Sequence, residues 1–503
     1  MELIDNLAHG LGVALTLKNV GLAFLGCLIG TLIGVLPGVG PIATITMLLP
    51  ITFGLDPVGA LIMLAGIYYG AQYGGSTTSI LVNIPGEATS VVTCLDGHEM
   101  AKQGRAGAAL AIAAIGSFFA GCVATVLVAA LGQPLTRVAL EFGPAEYFSL
   151  MLLGLIFAVV LAKGSVLKSI AMVLAGLLLS TVGSDLDTGA GRMTFGMPEL
   201  LDGIGFTNVA MGLFGLAEII RILEATGSSR EVIEGKIKGL MPTRQDLKDS
   251  SWPIARGTVL GSILGILPGG GAVVSSFASY TLEKRISKNP RRFGRGAIEG
   301  VAGPEAANNA AAQTSFIPLL TLGIPPNAVM ALMVGAMTIH GIVPGPQVMT
   351  KQPDLFWGMI ASMWFGNLML IIINLPMVGI WVRLLRVPYR ILFPSIIVFC
   401  CIGIYSIDNS SSDVMIAAIF GILGYWLVKH DFEPAPLVLA FVLGPLMEDN
   451  LRRAMLIARG DTSVFITRPI SGVLIFISVT LLVLALLPMI RKRRDEVFVE
   501  SEN

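Results

Sequence analysis

Gly30-Thr31-Leu32-Ile33-Gly34-Val35-Leu36-Pro37-Gly38-Val39-Gly40 and Gly261-Ser262-Ile263-Leu264-Gly265-Ile266-Leu267-Pro268-Gly269-Gly270-Gly271 are two copies of one peptide in a chain of 503 residues. Each is an apolar run, spaced by small residues, that ends in a Pro-Gly break. Proline removes a backbone donor and glycine admits positive φ, so a helix running into either copy stops there. In a chain that spans a bilayer, paired interrupted segments at matching places in two halves point to a transport site.

The surroundings place the chain in a bilayer. Hydrophobic residues make up 54% and charged residues only 13%, about half the charged share of a soluble domain. Mean hydropathy is +0.80. Charge-free stretches such as 108–131, 147–162, 170–182, 356–378 and 472–490 predict about ten to twelve spanning or partly spanning helices. They lack the alternation of a membrane barrel. The expected fold is an all-α polytopic membrane protein, in two related repeats of inverted topology with broken or re-entrant helices. Met1-Glu2-Leu3-Ile4-Asp5 carries no positive charge, unlike a cleaved signal peptide, so the apolar run from Val20 is expected to stay as a helix. Cys27, Cys94, Cys122, Cys400 and Cys401 largely sit in apolar runs without C-x-x-C spacing. They read as small buried side chains.

Lys and Arg divide the chain. Residues 1–220 read as the first transmembrane repeat. Residues 221–256, with Arg221, Arg230, Lys236, Lys238, Arg244, Lys248 and Arg256, read as a charged cytoplasmic linker with a short amphipathic helix. Residues 257–460 read as the second repeat. Residues 461–503 hold the last spanning helix and a basic cytoplasmic tail, Arg491-Lys492-Arg493-Arg494. Basic loops favour the cytoplasm. Only 257–281 lies between the linker and a second basic cluster, Lys284 to Arg295. Entry and exit by one face makes that stretch a re-entrant hairpin folded at 267–271; a kinked crossing is the competing geometry. Up to residue 93 the only cation is Lys18, which suits the opposite face for the first copy. The acidic stretch 184–203 reads as an outside loop.

A second polar, broken stretch follows each copy. In the first half it is Tyr73-Gly74-Gly75-Ser76-Thr77-Thr78-Ser79, then Asn83-Ile84-Pro85-Gly86-Glu87. In the second it is Gly303-Pro304-Glu305-Ala306-Ala307-Asn308-Asn309, then Gln313-Thr314-Ser315 and Gly323-Ile324-Pro325-Pro326-Asn327. Thr77-Thr78 is matched here with Thr314-Ser315 and Ile84-Pro85 with Ile324-Pro325, with a slip in register between them. Hydroxyls, amides and the freed N–H groups of a half-helix bind carboxylates, and freed carbonyls can coordinate Na⁺. The candidate substrate- or ion-binding residues are therefore Pro37, Gly38, Gly40, Ser76, Thr77, Thr78, Asn83, Pro268, Gly269, Gly271, Asn308, Asn309, Gln313, Thr314 and Ser315. Small residues and Ser, Thr and Asn also glue membrane helices, and the spacing of Gly30/Gly34, Gly66/Gly70 and Gly261/Gly265 reads as packing.

Glu305 is a candidate coupling carboxylate, because it lies in the otherwise uncharged stretch 301–349 and intramembrane carboxylates mark ion pathways. The alternative is a helix-capping residue at the membrane face, next to Pro304. Asp56 and Glu87 adjoin helix breakers and are weaker cases. No resident metal or cofactor is expected; a coupling Na⁺ or H⁺ would bind at the same clusters. The four histidines have no metal-ligand spacing, and there is no phosphate-binding loop, no G-x-S-x-G elbow and no nucleophile–base set. The chain is not expected to be an enzyme or to bind nucleic acid.

These residues resemble the large membrane subunit of the tripartite tricarboxylate transporter family, the TctA-type subunit. The matching parts are the run Gly34 to Gly40, Tyr69-Gly70 through Gly75-Ser76-Thr77, Asn83-Ile84-Pro85-Gly86, and the second set through Glu305-Ala306-Ala307-Asn308-Asn309 and Gly323-Ile324-Pro325. Asp449-Asn450-Leu451-Arg452-Arg453 also matches. The resemblance implies cation-gradient-driven uptake of tri- or dicarboxylates such as citrate across the bacterial inner membrane. It implies two partners, a small membrane subunit of TctB type and a periplasmic solute-binding protein of TctC type. A channel or exporter of small organic anions, working without a binding protein, is the alternative.

Overall fold

The computed structural model describes residues 2–36, 40–162, 165–185, 188–225, 241–267, 271–385 and 389–487. Among these residues everything regular is helical except one short antiparallel ribbon, Gly183–Ser184 against Gly191–Arg192, in the stretch expected as an outside loop. Helices of twelve residues or more are α1 (Glu2–Ala14), α2 (Leu17–Gly34), α3 (Gly40–Thr52), α4 (Pro57–Val82), α5 (Ala106–Leu140), α6 (Pro144–Leu161), α7 (Val166–Ser180), α8 (Arg244–Ile266), α9 (Gly271–Ile286), α10 (Glu299–Thr314), α11 (Ala328–Ile339), α12 (Pro353–Asn374), α13 (Tyr389–Asp408), α14 (Ser411–Lys429), α15 (Pro434–Ile457) and α16 (Pro469–Leu486).

Among the described residues six of these, α2, α5, α6, α12, α14 and α16, are long and apolar enough to cross a membrane unaided. The chain is thus an all-α, multi-pass membrane protein. The two most interior helices are not in that set. Nearly every residue of α4, and every residue of α10 after Glu299, is buried. An interior helix faces protein rather than lipid, so it tolerates the Ser, Thr, Asn and Gln that lower its hydropathy.

Glycine rows set the architecture. A Cβ at Gly26, Gly30 or Gly34 would lie 2.2, 2.3 and 2.3 Å from the carbonyl oxygens of Met63, Ile67 and Ala71. A Cβ at Gly257, Gly261 or Gly265 would lie 2.2, 2.1 and 2.4 Å from those of Gly303, Ala307 and Ala311. In each half two helices therefore run parallel with backbones touching, α2 on α4 and α8 on α10, as small-residue rows permit. The glycines of the two rows stand 231 positions apart, whereas their carbonyl partners stand 240 apart, as do the left-handed caps that follow, Asn83 (φ 57°) and Gly323 (φ 73°). The slip in register read from the sequence is absent. Thr77-Thr78 sits one turn further along its helix than Thr314-Ser315.

Parallel partners need a returning segment, and α3 and α9 supply it. Gly40 (φ 60°) and Gly271 (φ 43°) begin these helices with positive φ, a conformation that glycine adopts without penalty. The second hairpin is closed at its open end by Arg256 of α8. Its Nε and Nη2 donate to the Glu283 carboxylate of α9 at 2.8 and 2.6 Å. One continuous helix would hold these two residues on the order of 40 Å apart at about 1.5 Å per residue. The chain doubles back, and the kinked crossing is excluded. Lys18 and Asp56, at the starts of α2 and α4, pair in the first half.

The two halves meet head to tail. Ser76 meets Glu305, and the Tyr69 and Phe316 rings lie 6.0 Å apart edge to face, so α4 and the α10 stretch run antiparallel. α5 and α12 flank them, with Gly121 against Asn367 and Gly132 against Phe356. α8 starts at Arg244, within the 221–256 stretch expected as a linker, where Thr243 and Asp246 cap each other reciprocally. Residues 226–240 of the expected linker, and the basic tail, lie outside the described residues.

Candidate functional site

Each half carries its polar groups inside an unbroken helix, α4 or α10, rather than at the breaks the sequence suggested. Pro57 follows the N-cap Asp56, whose carboxylate accepts from the Gly59 N–H at 2.9 Å, and this starts α4. The helix then runs unbroken through Ser76, Thr77 and Thr78. α10 begins at Glu299 and contains Pro304 and Glu305 in its interior. Glu305 is 1% exposed. It does not cap a helix at the membrane face, since α10 is already under way when it is reached.

The Glu305 carboxylate receives hydroxyls from the first half. Ser76 Oγ donates to Oε2 at 2.7 Å, and Thr93 Oγ1 donates to Oε1. Asn309 Nδ2 donates to Ser117 Oγ at 2.8 Å, to the Glu305 carbonyl at 3.2 Å and to Asn308 Oδ1 at 2.5 Å. No lysine or arginine among the described residues hydrogen-bonds to or ion-pairs with this carboxylate. Beside it is a narrow pocket lined by Tyr73, Ser76, Thr77, Leu110, Ala113, Ala114, Ser117, Glu305, Asn374 and Leu375, with room for little beyond a water. The Tyr73 hydroxyl and Asn374 Oδ1 on its wall are buried without a protein partner. Buried polar atoms cost free energy unless bonded, so this wall suits a polar guest.

Other predicted residues hold backbone. Thr78 Oγ1 donates to the Val35 carbonyl at 2.7 Å. Ser315 Oγ lies 3.2 Å from the Gly265 carbonyl, towards which it points as a donor, and 2.7 Å from that of Ala311. Val35 and Gly265 end the helices that run into the two breaks, so these hydroxyls reach carbonyls that lose helical partners there. Thr314 bonds back to its own helix at 3.0 Å. Gln313 Nε2 is 3.4 Å from Asn367 Oδ1, and Thr125 Oγ1 is 3.5 Å from Gln313 Oε1; both are long contacts. Asn83 is an exposed left-handed cap and is not brought to the pocket. Gly40 and Gly271 start α3 and α9, and Gly271 lies against Asn327. Pro37, Gly38, Pro268 and Gly269 lie outside the described residues.

The family model for "Tripartite tricarboxylate transporter TctA family" matches residues 20–439. The chain belongs to this family. It is thus a membrane protein of a tricarboxylate transporter family. It is 59% identical over 502 residues, all of both chains, to an Agrobacterium vitis protein described as "Uncharacterized 52.8 kDa protein in TAR-I ttuC' 3'region". It is 63% identical over 242 residues to a second Agrobacterium vitis protein, "Uncharacterized protein in TAR-II ttuC' 3'region", covering 48% of this chain and all of that one. No solved structure matches the chain.

Four groups of this TctA-family chain escape sequence reading. Thr93 and Ser117 are lone hydroxyls in apolar runs, and Asn374 ends a long apolar helix. Asp96 is fully buried, yet its Oδ1 accepts from the backbone N–H groups of Gly294, Arg295, Gly296 and Ala297 at 2.8–3.1 Å. It fixes the loop that leads into α10. Its neighbours Gly97, His98 and Glu99 are polar or small, and nothing in sequence said what the acid faced.

Proposed function

We propose that this TctA-family chain takes up organic carboxylates, tri- or dicarboxylates such as citrate, through the bacterial inner membrane under a cation gradient. A periplasmic solute-binding protein of TctC type delivers the substrate, and a small TctB-type subunit completes the complex. The two halves act as inverted repeats and alternate access around the broken helices. Ser76, Thr77, Asn308 and Asn309 lie at the site, and Glu305 couples transport to the cation. The observation that carries this reading is the pair of matched helix crossings, which bring neutral donors of both halves to one buried pocket free of Lys and Arg.

The test is counterflow of labelled di- and tricarboxylates in vesicles, with and without the binding protein. Thr77→Leu and Asn308→Leu are expected to reduce uptake by tenfold or more while membrane insertion, read by protease protection, is kept. Normal uptake in both variants sinks the site. Full uptake without any binding protein favours the channel or exporter alternative.

A further inference from the structure

The structure narrows the identity of the coupling ion, taking as its basis the reading of the chain as a gradient-driven transporter. We propose that the ion is a proton carried on the Glu305 carboxyl, with Ser76 of the first half as its two-position hydrogen-bond relay.

Ser76 has one hydroxyl hydrogen and two acceptors within reach. The Gln72 carbonyl is 3.0 Å away and Glu305 Oε2 is 2.7 Å away. When Glu305 is ionised, the Ser76 hydrogen points to Oε2. When a proton adds to Oε2, the new O–H donates to Ser76 Oγ, and the Ser76 hydrogen turns to Gln72. Every polar atom stays bonded in both states, which hydroxyl chemistry allows because oxygen donates and accepts. Thr93 donates to Oε1 in either state. The step is a simple addition: one proton in from water on one side of the membrane, one proton out to water on the other. No electron moves and no covalent bond other than O–H changes.

Two observations and one consequence favour a proton over a metal cation. The hydroxyls sit directly on the carboxylate oxygens, so no ion-sized gap separates these ligands. The neighbouring groups supply no positive charge. On α4 the titratable neighbour is Tyr73, and α5 meets it with the Ser117 hydroxyl. The segment between α4 and α5 brings Glu87, Cys94 and Asp96, the last held by four backbone N–H groups and the Tyr280 hydroxyl. Across α8 and α9, Arg256 is committed to Glu283. An ionised Glu305 would thus be a buried, unpaired charge, whereas the neutral acid is fully bonded. Finally, a neutral Glu305 does not repel a carboxylate lodged among Ser76, Thr77 and Asn308.

Hydrogen bonds join the two halves in either state, so what the proton changes is the charge buried between them. Loss of the proton leaves a charge that only water can relieve, and the water-sized pocket at Glu305 is the route.

Two measurements test this on the full-length chain. In membranes of the purified protein near neutral pH, infrared spectra are expected to show a protonated carboxyl C=O band that Glu305→Gln removes. In vesicles carrying the complete transport system, pH-gradient-driven accumulation of a panel of labelled di- and tricarboxylates is expected to fall at least tenfold relative to counterflow in Glu305→Gln. Ser76→Ala is expected to shift the pH profile of accumulation. Accumulation that follows a Na⁺ gradient at equal pH overturns the proposal, as does an infrared spectrum unchanged by Glu305→Gln. If wild type moves none of the panel, the transport reading fails, and the infrared band still decides whether Glu305 holds a proton.

Discussion

Ser76, Thr77 and Thr78 are three successive hydroxyls with three different tasks. Ser76 faces the Glu305 carboxylate, Thr77 lines the pocket, and Thr78 caps the Val35 carbonyl at the first break. Successive helical residues point about 100° apart, so adjacent side chains necessarily meet different surroundings. Their chemistry was legible in the sequence; their division of labour was not. Glycine separates in the same way. A Cβ at Gly12 would meet nothing within 4 Å, whereas a Cβ at Gly261 would strike the Ala307 carbonyl at 2.1 Å. Gly261→Ala is expected to destabilise the protein by about 1–3 kcal/mol, the usual cost of overpacking, whereas Gly12→Ala, in open space within α1, is expected to be neutral or slightly stabilising. Thermal unfolding of the detergent-solubilised variants checks this.

At the scale of elements, the second hairpin carries the clearest agreement with the sequence. Two basic clusters flanking a segment too short for two crossings implied a fold-back, and the Arg256–Glu283 pair supplies it. Arg244→Cys and Lys284→Cys are expected to react with a membrane-impermeant thiol reagent from the same face of the membrane. Labelling from opposite faces would return the segment to a crossing. The linker boundary was less legible. A charged stretch reads as a solvated loop, yet from Arg244 onward it is helix, because Thr243 and Asp246 cap it and Asp246 is held at 2.5 Å by Arg105, the residue just before α5.

On the scale of the whole molecule, Arg105 and Asp246 tie the first half to the second. Burial raises the Asp246 pKa, but hydrogen bonds from the Thr243 N–H and hydroxyl and from Arg105 outweigh it, and the carboxyl is held below its ordinary value. A group depressed in the folded state stabilises the fold above its unfolded pKa, about 3.9, and that stability is lost as pH falls through the folded value. The melting temperature of wild type is therefore expected to exceed that of Asp246→Asn at pH 6–7, with the gap closing under acid. A gap that persists or widens on acidification would refute the tie.

The sequence by itself determined the class of this protein: an all-α membrane chain with two broken-helix peptides, each followed by neutral polar residues. Composition and Pro-Gly chemistry act locally, so they can be read residue by residue. Only the tertiary structure decided that the glycine rows bind parallel helix pairs, that the pairs oppose each other, and that Ser76 and Thr93 of one half meet Glu305 of the other. Those contacts join residues about 200 positions or more apart, and no spacing along the chain encodes which buried donor meets which buried acid. That depends on how closely backbones can approach, which the glycines permit and the packing fixes.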